Sequence, residues 1–239
     1  MKIPILTIAF CAVLAAATNS TGQPGPKPRN IGIVVWKFWE PMDVYGPIEV
    51  VTTIGFTQPI NLYLLSADGQ PQSTQPYFLF PEKANISTVI LTDATFANPP
   101  PLDVVIIGGG GGTRNETTMA PVIEFAKNIY PSLQYIISVC TGATVLARAG
   151  LLDGKRATTN KKAWAWATTF GNRVRWQPHS RYVRDQNVWT TSGVSAGVDG
   201  MLGWVEYVWG STLASQIEAN MEWTRLGANG DKWGDYYGL

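Results

Sequence analysis

The sequence predicts an α/β domain in which a mostly parallel β-sheet is covered by helices on both faces. Its strand-like runs are continuously apolar rather than alternating, and segments with helical spacing separate them. The chain has 239 residues, of which 45% are hydrophobic and 15% charged, and a chain of that length can bury a core without covalent staples. The 18 basic and 17 acidic residues nearly cancel, which argues against a polyanion-binding role.

The predicted strands are apolar and rich in β-branched residues, and turn-forming residues bound them. Residues 67–76 are polar and contain proline, so we expect turns or a short hairpin there. In order, the strands are Ile31–Trp36, Ile60–Leu65, Asp103–Ile107, Tyr135–Val139 and a β-hairpin over Arg181–Thr191 that turns around Asp185–Asn187.

The predicted helices fall between and after these strands. Pro41 suits the start of the first helix, in which Val44, Ile48 and Val51 recur at helical spacing. The others are expected over Pro121–Tyr130, Gly142–Ala149, Ala196–Trp209 and Leu213–Trp223.

The N-terminus has the pattern of a secretory signal peptide. Lys2 precedes the apolar run Ile3–Leu14, and three alanines follow. The run is too short to span a bilayer as a helix. We therefore predict a cleaved leader over residues 1–17, a Pro/Gly-rich tether over 18–29 and one domain over 30–239. The mature protein is expected to be secreted or luminal, without a membrane anchor.

Cleavage would leave Cys140 as the only cysteine, because Cys11 lies in the leader. A single thiol in a secreted chain suggests a reactive group or an intermolecular bond. Glycosylation sequons at Asn19, Asn85 and Asn115 agree with passage through a glycosylating lumen. We list Asn85 and Asn115 as candidate glycosylation sites.

The segment Ser138-Val139-Cys140-Thr141-Gly142 has the pattern of a nucleophile elbow. An apolar strand runs into a helix, and small residues lie two positions before and after the cysteine. A position at a helix N-terminus also favours the thiolate. The alternative is a small buried hydrophobic residue, which is the usual role of a free cysteine.

Five glycines, Gly108–Gly112, follow the third predicted strand. At the carboxyl end of a strand they could approach a ligand closely and present N–H groups to a developing oxyanion. The run matches neither a phosphate-binding loop nor a dinucleotide fingerprint. A flexible turn is the alternative.

Gly193-Val194-Ser195-Ala196-Gly197 matches the serine-hydrolase elbow G-x-S-x-G, but the only histidine, His179, precedes the serine. We therefore interpret this segment as a tight turn that starts a packed helix. A lone histidine is more often a surface residue or a supporting one. One histidine and one cysteine cannot complete a tetrahedral zinc site, and no cofactor is predicted.

The stretch Ser138–Thr159, together with Met42–Pro47, the glycine run and Thr191–Asp199, resembles the DJ-1/PfpI superfamily, also called class I glutamine amidotransferase-like. The resemblance is strongest to its isocyanide hydratase branch and covers roughly residues 30 to 220. It implies a flavodoxin-like three-layer sandwich, a strand-Cys-helix elbow and a homodimer.

The resemblance also implies roles for individual residues. Cys140 matches the family nucleophile, and Asp43 matches the acid that faces the sulfur. Thr141 offers a hydroxyl and a backbone N–H, and Gly109 and Gly110 belong to the turn that supplies the other backbone donor. Asn160 departs from the family, because many members carry a histidine there. Gly108 departs as well, because proline is usual at that position.

The implied activity is a cofactor-independent hydration or hydrolysis of a small electrophile, such as an isocyanide giving an N-formamide. Trp36 and Trp39 precede Asp43 and are expected either to wall an apolar pocket or to fill the core. Two alternatives stay open: a glyoxalase or deglycase acting on α-oxoaldehydes, and a non-catalytic ligand-binding or thiol-sensing protein. The expected partners are a small-molecule substrate and a second copy of the chain, without nucleic acid.

Overall fold

Helices and strands alternate along most of the chain in the computed structural model, which describes residues 25–77 and 86–239. In order, they are β1 (Asn30–Val34), α1 (Pro41–Gly55), β2 (Asn61–Ser66), β3 (Gln72–Ser73), β4 (Val89–Ile90), β5 (Ala94–Thr95), β6 (Val104–Ile107), α2 (Glu116–Ile129), β7 (Tyr135–Ser138), α3 (Ala143–Arg148), β8 (Arg156–Ala157), α4 (Trp164–Ala167), β9 (Arg175–Trp176), β10 (Tyr182–Asp185), β11 (Val188–Thr191), α5 (Ala196–Trp209), α6 (Ser211–Met221) and α7 (Trp233–Tyr236).

Seven of these strands form one sheet in the order β10-β11-β7-β6-β1-β2-β5. Every neighbouring pair in it is parallel except the β10–β11 hairpin, which turns through Gln186 at φ 58°. The predicted mostly parallel sheet with an antiparallel hairpin is confirmed.

The sheet separates two hydrophobic clusters, as the predicted three layers require. Alternate residues of one strand enter opposite clusters: Ile106 packs with α1, α5 and α6, whereas Ile107 packs with α2 and α3. Because both faces of the sheet are buried, the strands need apolar residues at successive positions, and this explains their continuous apolar sequences. Among the described helices, none has the length and apolar character needed to cross a bilayer.

Most predicted bounds shift by one or two residues, and the largest difference is at the start of α2. Helix α2 begins at Glu116 rather than Pro121, because the Asn115 side chain caps it by accepting the N–H of Thr118 at 2.9 Å. Pro121 lies inside this helix. The polar stretch 67–76 does not close a hairpin on itself; its strand β3 pairs antiparallel with β4, further along the chain.

The carboxyl ends of β1, β6 and β7 lie side by side at the centre of the sheet. They lead into the loop before α1, the glycine run and the cysteine segment. Ligands of open α/β sheets bind at such an edge, so the fold brings the three predicted groups of site residues to one place.

Candidate active site

Cys140 lies at a sharp turn between β7 and α3. Its φ of 59° is in the left-handed region, which few non-glycine residues adopt. A Cβ on Gly142 would lie 2.2 Å from the carbonyl oxygen of Ile107, so only glycine fits two positions after the cysteine. The predicted nucleophile elbow is therefore present.

The Cys140 side chain is only 5% exposed. Burial raises the pKa of the Cys140 thiol well above its ordinary value, and the neighbouring Asp43 carboxyl raises it further. Hydrogen bonds from the Thr141 N–H and from Asn160 act in the opposite direction. The helix N-terminus was expected to favour the thiolate, but desolvation is the larger effect on the thiol pKa.

Asp43 is fully buried in the first turn of α1. Its Oδ2 accepts the N–H of Gly109 at 2.9 Å, and the carboxyl group also hydrogen-bonds the Cys140 thiol. The other oxygen, Oδ1, receives no hydrogen bond from a nitrogen or oxygen donor within the described chain. Burial raises the pKa of Asp43 to about 8, and the nearby Glu40 adds to the effect. At neutral pH the site therefore holds a neutral carboxyl group beside a neutral thiol.

Asn160 donates from Nδ2 to the Cys140 sulfur at 3.2 Å. Its Oδ1 accepts the N–H of Ala163 at 2.9 Å, and this bond fixes which end of the amide faces the sulfur. The sequence marked this position only as a departure from a histidine. The structure makes Asn160 a direct neighbour of the thiol.

The backbone N–H groups of Gly109 and Gly110 donate hydrogen bonds to protein side chains and are not free to bind a ligand. The N–H of Gly110 donates to Thr141 Oγ1 at 3.1 Å, and the N–H of Gly109 is bonded to Asp43. Thr141 Oγ1 also receives the Thr113 hydroxyl at 3.1 Å. Both amides predicted to bind substrate are thus occupied by protein acceptors, so in this state they position Asp43 and Thr141.

Trp36 and Trp39 belong to the core. They are 4% and 1% exposed, and they pack into the clusters on opposite faces of the sheet. Trp39 donates from its indole to the carbonyl of Gln72 at 3.2 Å. The pocket-wall interpretation is corrected, because the loop turns both rings inward.

A cavity of about 400 Å³ is lined by Asn160, which contacts the thiol, whereas Cys140 and Asp43 themselves are not among its lining residues. Its volume is within the size range of small-molecule sites. Met42, which lines it, precedes Asp43, and Asn160 in its wall contacts the thiol. Ser192, also in the wall, accepts the N–H of Cys140 through its carbonyl. The lining consists of Met42, Asn160, Lys161, Lys162, Ser192, Gly193, Val194, Ser195, Trp233 and Tyr237.

Ser195 is not placed as a nucleophile. It precedes α5, and its Oγ accepts a hydrogen bond from Arg181 at 3.1 Å, in agreement with a turn that starts a packed helix. A Cβ on Gly193 would lie 1.9 Å from Asn160 Nδ2. This glycine therefore makes room for the amide that contacts the thiol.

His179 is exposed and pairs with Asp235 at 3.2 Å. Within residues 25–77 and 86–239, no group of His, Cys, Asp and Glu side chains is arranged to hold a metal ion. The predicted leader, the tether up to residue 24 and Asn85 lie outside the described residues, so those assignments stay predictions. Asn115 is described, but its glycosylation is not tested.

A model of the DJ-1/PfpI family matches residues 33–206 of the chain. An isonitrile hydratase from Pseudomonas putida is 28% identical over 194 residues, which cover 81% of this chain and 78% of that protein.

Solved structures agree with this match. A ThiJ/PfpI family protein from Pseudomonas syringae is 25% identical with a TM-score of 0.65, covering 93% of this chain and 84% of that one. Drosophila melanogaster DJ-1beta has a TM-score of 0.66 at 19% identity, covering 82% of this chain and 98% of that one. At that identity, the likeness to DJ-1beta shows the fold alone.

Proposed function

The chain belongs to the DJ-1/PfpI family, and from that membership we propose that it is a cofactor-independent cysteine enzyme that hydrates an isocyanide to an N-formamide. The similarity to an isonitrile hydratase supports this choice of substrate class. The observation that carries the proposal is the buried contact between the Asp43 carboxyl group and the Cys140 thiol.

A neutral carboxyl group suits the first step of this reaction. The terminal carbon of an isocyanide must gain a proton and a bond to sulfur. The protonated oxygen of Asp43 gives its proton to that carbon, while the other oxygen accepts the thiol proton as the carbon–sulfur bond forms. The product is a thioimidate on Cys140, and the carboxyl group is again protonated.

Water completes the reaction. As water attacks the thioimidate carbon, Asp43 accepts one of the water protons and gives its own proton to the C=N nitrogen. The tetrahedral intermediate then collapses: the carbonyl forms, the carbon–sulfur bond breaks, and the hydroxyl proton returns to the sulfur. One isocyanide and one water give one N-formamide, and the enzyme is regenerated.

The amide of Asn160 and the N–H of Thr141 both reach the sulfur. They stabilise negative charge on it as the thiol proton leaves, and again when the carbon–sulfur bond breaks. Neither group titrates, so the proton transfers fall to Asp43.

The position of His179 disfavours the α-oxoaldehyde alternative in its Cys–His form. That histidine is exposed and bonded to Asp235, whereas Asn160 occupies the place beside the thiol. We also propose that the protein is secreted and forms a homodimer. The competing function is that of a non-catalytic ligand-binding protein.

The test compares purified wild type, Cys140→Ala and His179→Ala with phenyl isocyanide and with methylglyoxal. We expect N-phenylformamide to form with wild type and His179→Ala at similar rates, and not with Cys140→Ala. Methylglyoxal turnover that needs both residues would replace the proposal with the glyoxalase function. Absence of turnover with either substrate would favour the binding protein.

A further inference from the structure

The last seventeen residues, which we call the C-terminal segment (residues 223–239), return to the cavity beside the thiol. They lie beyond the part of the chain that the family model matches, which ends at residue 206. Trp233 and Tyr237 of this segment nevertheless form part of the cavity wall together with Asn160.

A buried ion pair fixes the segment next to Asn160. Lys161 Nζ lies 3.3 Å from Asp231 Oδ2, and both side chains are almost fully buried. Lys161 also donates to Thr158 Oγ1 at 2.6 Å and to the Ser180 carbonyl at 2.9 Å. Because Lys161 follows the residue that contacts the sulfur, the anchor of the segment and the reactive site share one loop.

A second buried ion pair holds the start of the segment. Arg181 pairs with Asp199, whose other carboxylate oxygen accepts the Trp223 indole N–H at 2.7 Å. The Arg181 main-chain N–H also donates to the carbonyl of Ala228 at 2.7 Å. Two independent attachments therefore set where the aromatic residues of the segment stand.

The aromatic residues at the cavity stay partly open. Trp233 is 38% exposed and Tyr237 is 43% exposed, although the segment around them is firmly attached. Met42 and Val194 add apolar surface to the same cavity. Part of the surface of both rings is covered by Tyr236, and Lys232 lies over the Trp233 ring. The exposed part borders a cavity whose wall includes the Asn160 amide that contacts Cys140, and it suits a bound apolar group.

We infer that the C-terminal segment is the specificity wall of the site, and that Trp233 and Tyr237 bind an aromatic group on the electrophile that reacts with Cys140. The inference rests on the proposed function, which leaves the substituent of the isocyanide open. We infer that this substituent is an aromatic group rather than a small aliphatic one. Phe56 offers a matched aromatic control, because it is 74% exposed and lies outside the cavity lining, whereas the Tyr236 ring contacts both Trp233 and Tyr237.

The first experiment measures kcat and KM for phenyl isocyanide and methyl isocyanide in wild type, Trp233→Ala, Tyr237→Ala and Phe56→Ala. We expect KM for the phenyl compound to rise about tenfold or more in the first two variants, with kcat nearly unchanged, because an apolar contact to the substituent is lost. KM for the methyl compound and both constants of Phe56→Ala should stay within about twofold of wild type, since no contact to a bound substituent changes. Equal effects on both substrates would overturn the inference.

The second experiment needs no turnover, so it separates this inference from the proposed function. Alkylation of Cys140 by N-phenylmaleimide and by N-methylmaleimide is followed by mass spectrometry in the same four proteins. The ratio of the phenyl to the methyl rate should fall several-fold in Trp233→Ala and Tyr237→Ala, and not in Phe56→Ala. If wild type hydrates no isocyanide but this ratio falls in Trp233→Ala and Tyr237→Ala, the proposed function is refuted and the inferred aromatic binding surface is supported. An unchanged ratio refutes the wall.

Discussion

Replacing Asp43 with asparagine should make the protein more stable and nearly inactive. Asparagine keeps the shape of the side chain and can still accept the N–H of Gly109 through its oxygen. It removes the one group beside the thiol that can both give and accept a proton. Loss of that general acid–base group should lower kcat/KM by about 10²–10⁴-fold.

The gain in stability follows from the raised pKa. The Asp43 pKa moves from 3.8 to about 8 on folding, so between these values the folded state keeps a proton that the unfolded chain releases. Stability therefore falls as pH rises from about 4 to about 8. About three pH units separate 3.8 from pH 7, and each is worth about 1.4 kcal/mol, so Asp43 makes folding about 4 kcal/mol less favourable at pH 7.

Asparagine does not titrate, so the free energy of unfolding of the variant does not fall between pH 4 and pH 7 through this position. Some of the gain is offset because its NH₂ group must face the sulfur or the apolar surroundings, and we expect a net stabilisation of about 2–4 kcal/mol at pH 7. For a chain of this length that corresponds to a rise in Tm of roughly 5–15 °C. Near pH 4 the titration gain disappears, and the variant should be as stable as wild type or up to about 2 kcal/mol less stable, because only the cost of the buried NH₂ group remains.

The assay is urea unfolding of wild type and Asp43→Asn at several values between pH 4 and pH 8, with Asp153→Asn as a control. Asp153 forms a partly exposed ion pair with Arg173, and its variant should keep the pH dependence of wild type. The decisive quantity is the difference in unfolding free energy between Asp43→Asn and wild type. If that difference is flat across this range, Asp43 is not a buried neutral acid and the proton-transfer argument fails.

Three further variants test neighbours of the reactive pair. Asn160→Ala removes the amide that lowers the thiol pKa, so the pH midpoint of Cys140 alkylation should move upward; an unchanged midpoint would contradict the contact. Gly193→Ala places a Cβ where the Asn160 amide lies and should reproduce the upward shift of that midpoint. Gly227→Ala, whose added Cβ meets no atom within 4 Å, should behave as wild type in the same assay. Asp231→Asn removes the carboxylate that favours the charged form of Lys161, whose pKa burial lowers to about 8. It should lower the unfolding free energy by about 1–3 kcal/mol, measured by urea unfolding at pH 7; a loss below about 0.5 kcal/mol would show that the pair does not hold the segment.

The sequence predicts the sheet well because strands that are buried on both faces need apolar residues at every position. Such strands therefore appear in the sequence as continuous apolar runs. The elbow at Cys140 is predictable for a similar reason, since Gly142 is required by a close backbone approach. The position of Trp39 in the core and the position of Trp233 in the cavity wall depend on contacts between distant parts of the chain. No local pattern encodes those contacts, so the sequence alone could not decide between the pocket and the core for Trp36 and Trp39, and it gave no sign that Trp233 lines the cavity.

The thiol has one titrating carboxyl group and one amide as its closest side-chain neighbours. A histidine at position 160 could carry a positive charge and lower the thiol pKa by an ion pair, which would favour a standing thiolate. An asparagine can only donate an uncharged hydrogen bond, so the sulfur keeps its proton until Asp43 accepts it as the substrate is attacked. Such a site suits electrophiles that must be protonated as they are attacked, and an isocyanide carbon is of that kind. With asparagine at position 160, the proton transfers at the thiol therefore depend on Asp43 rather than on a standing thiolate.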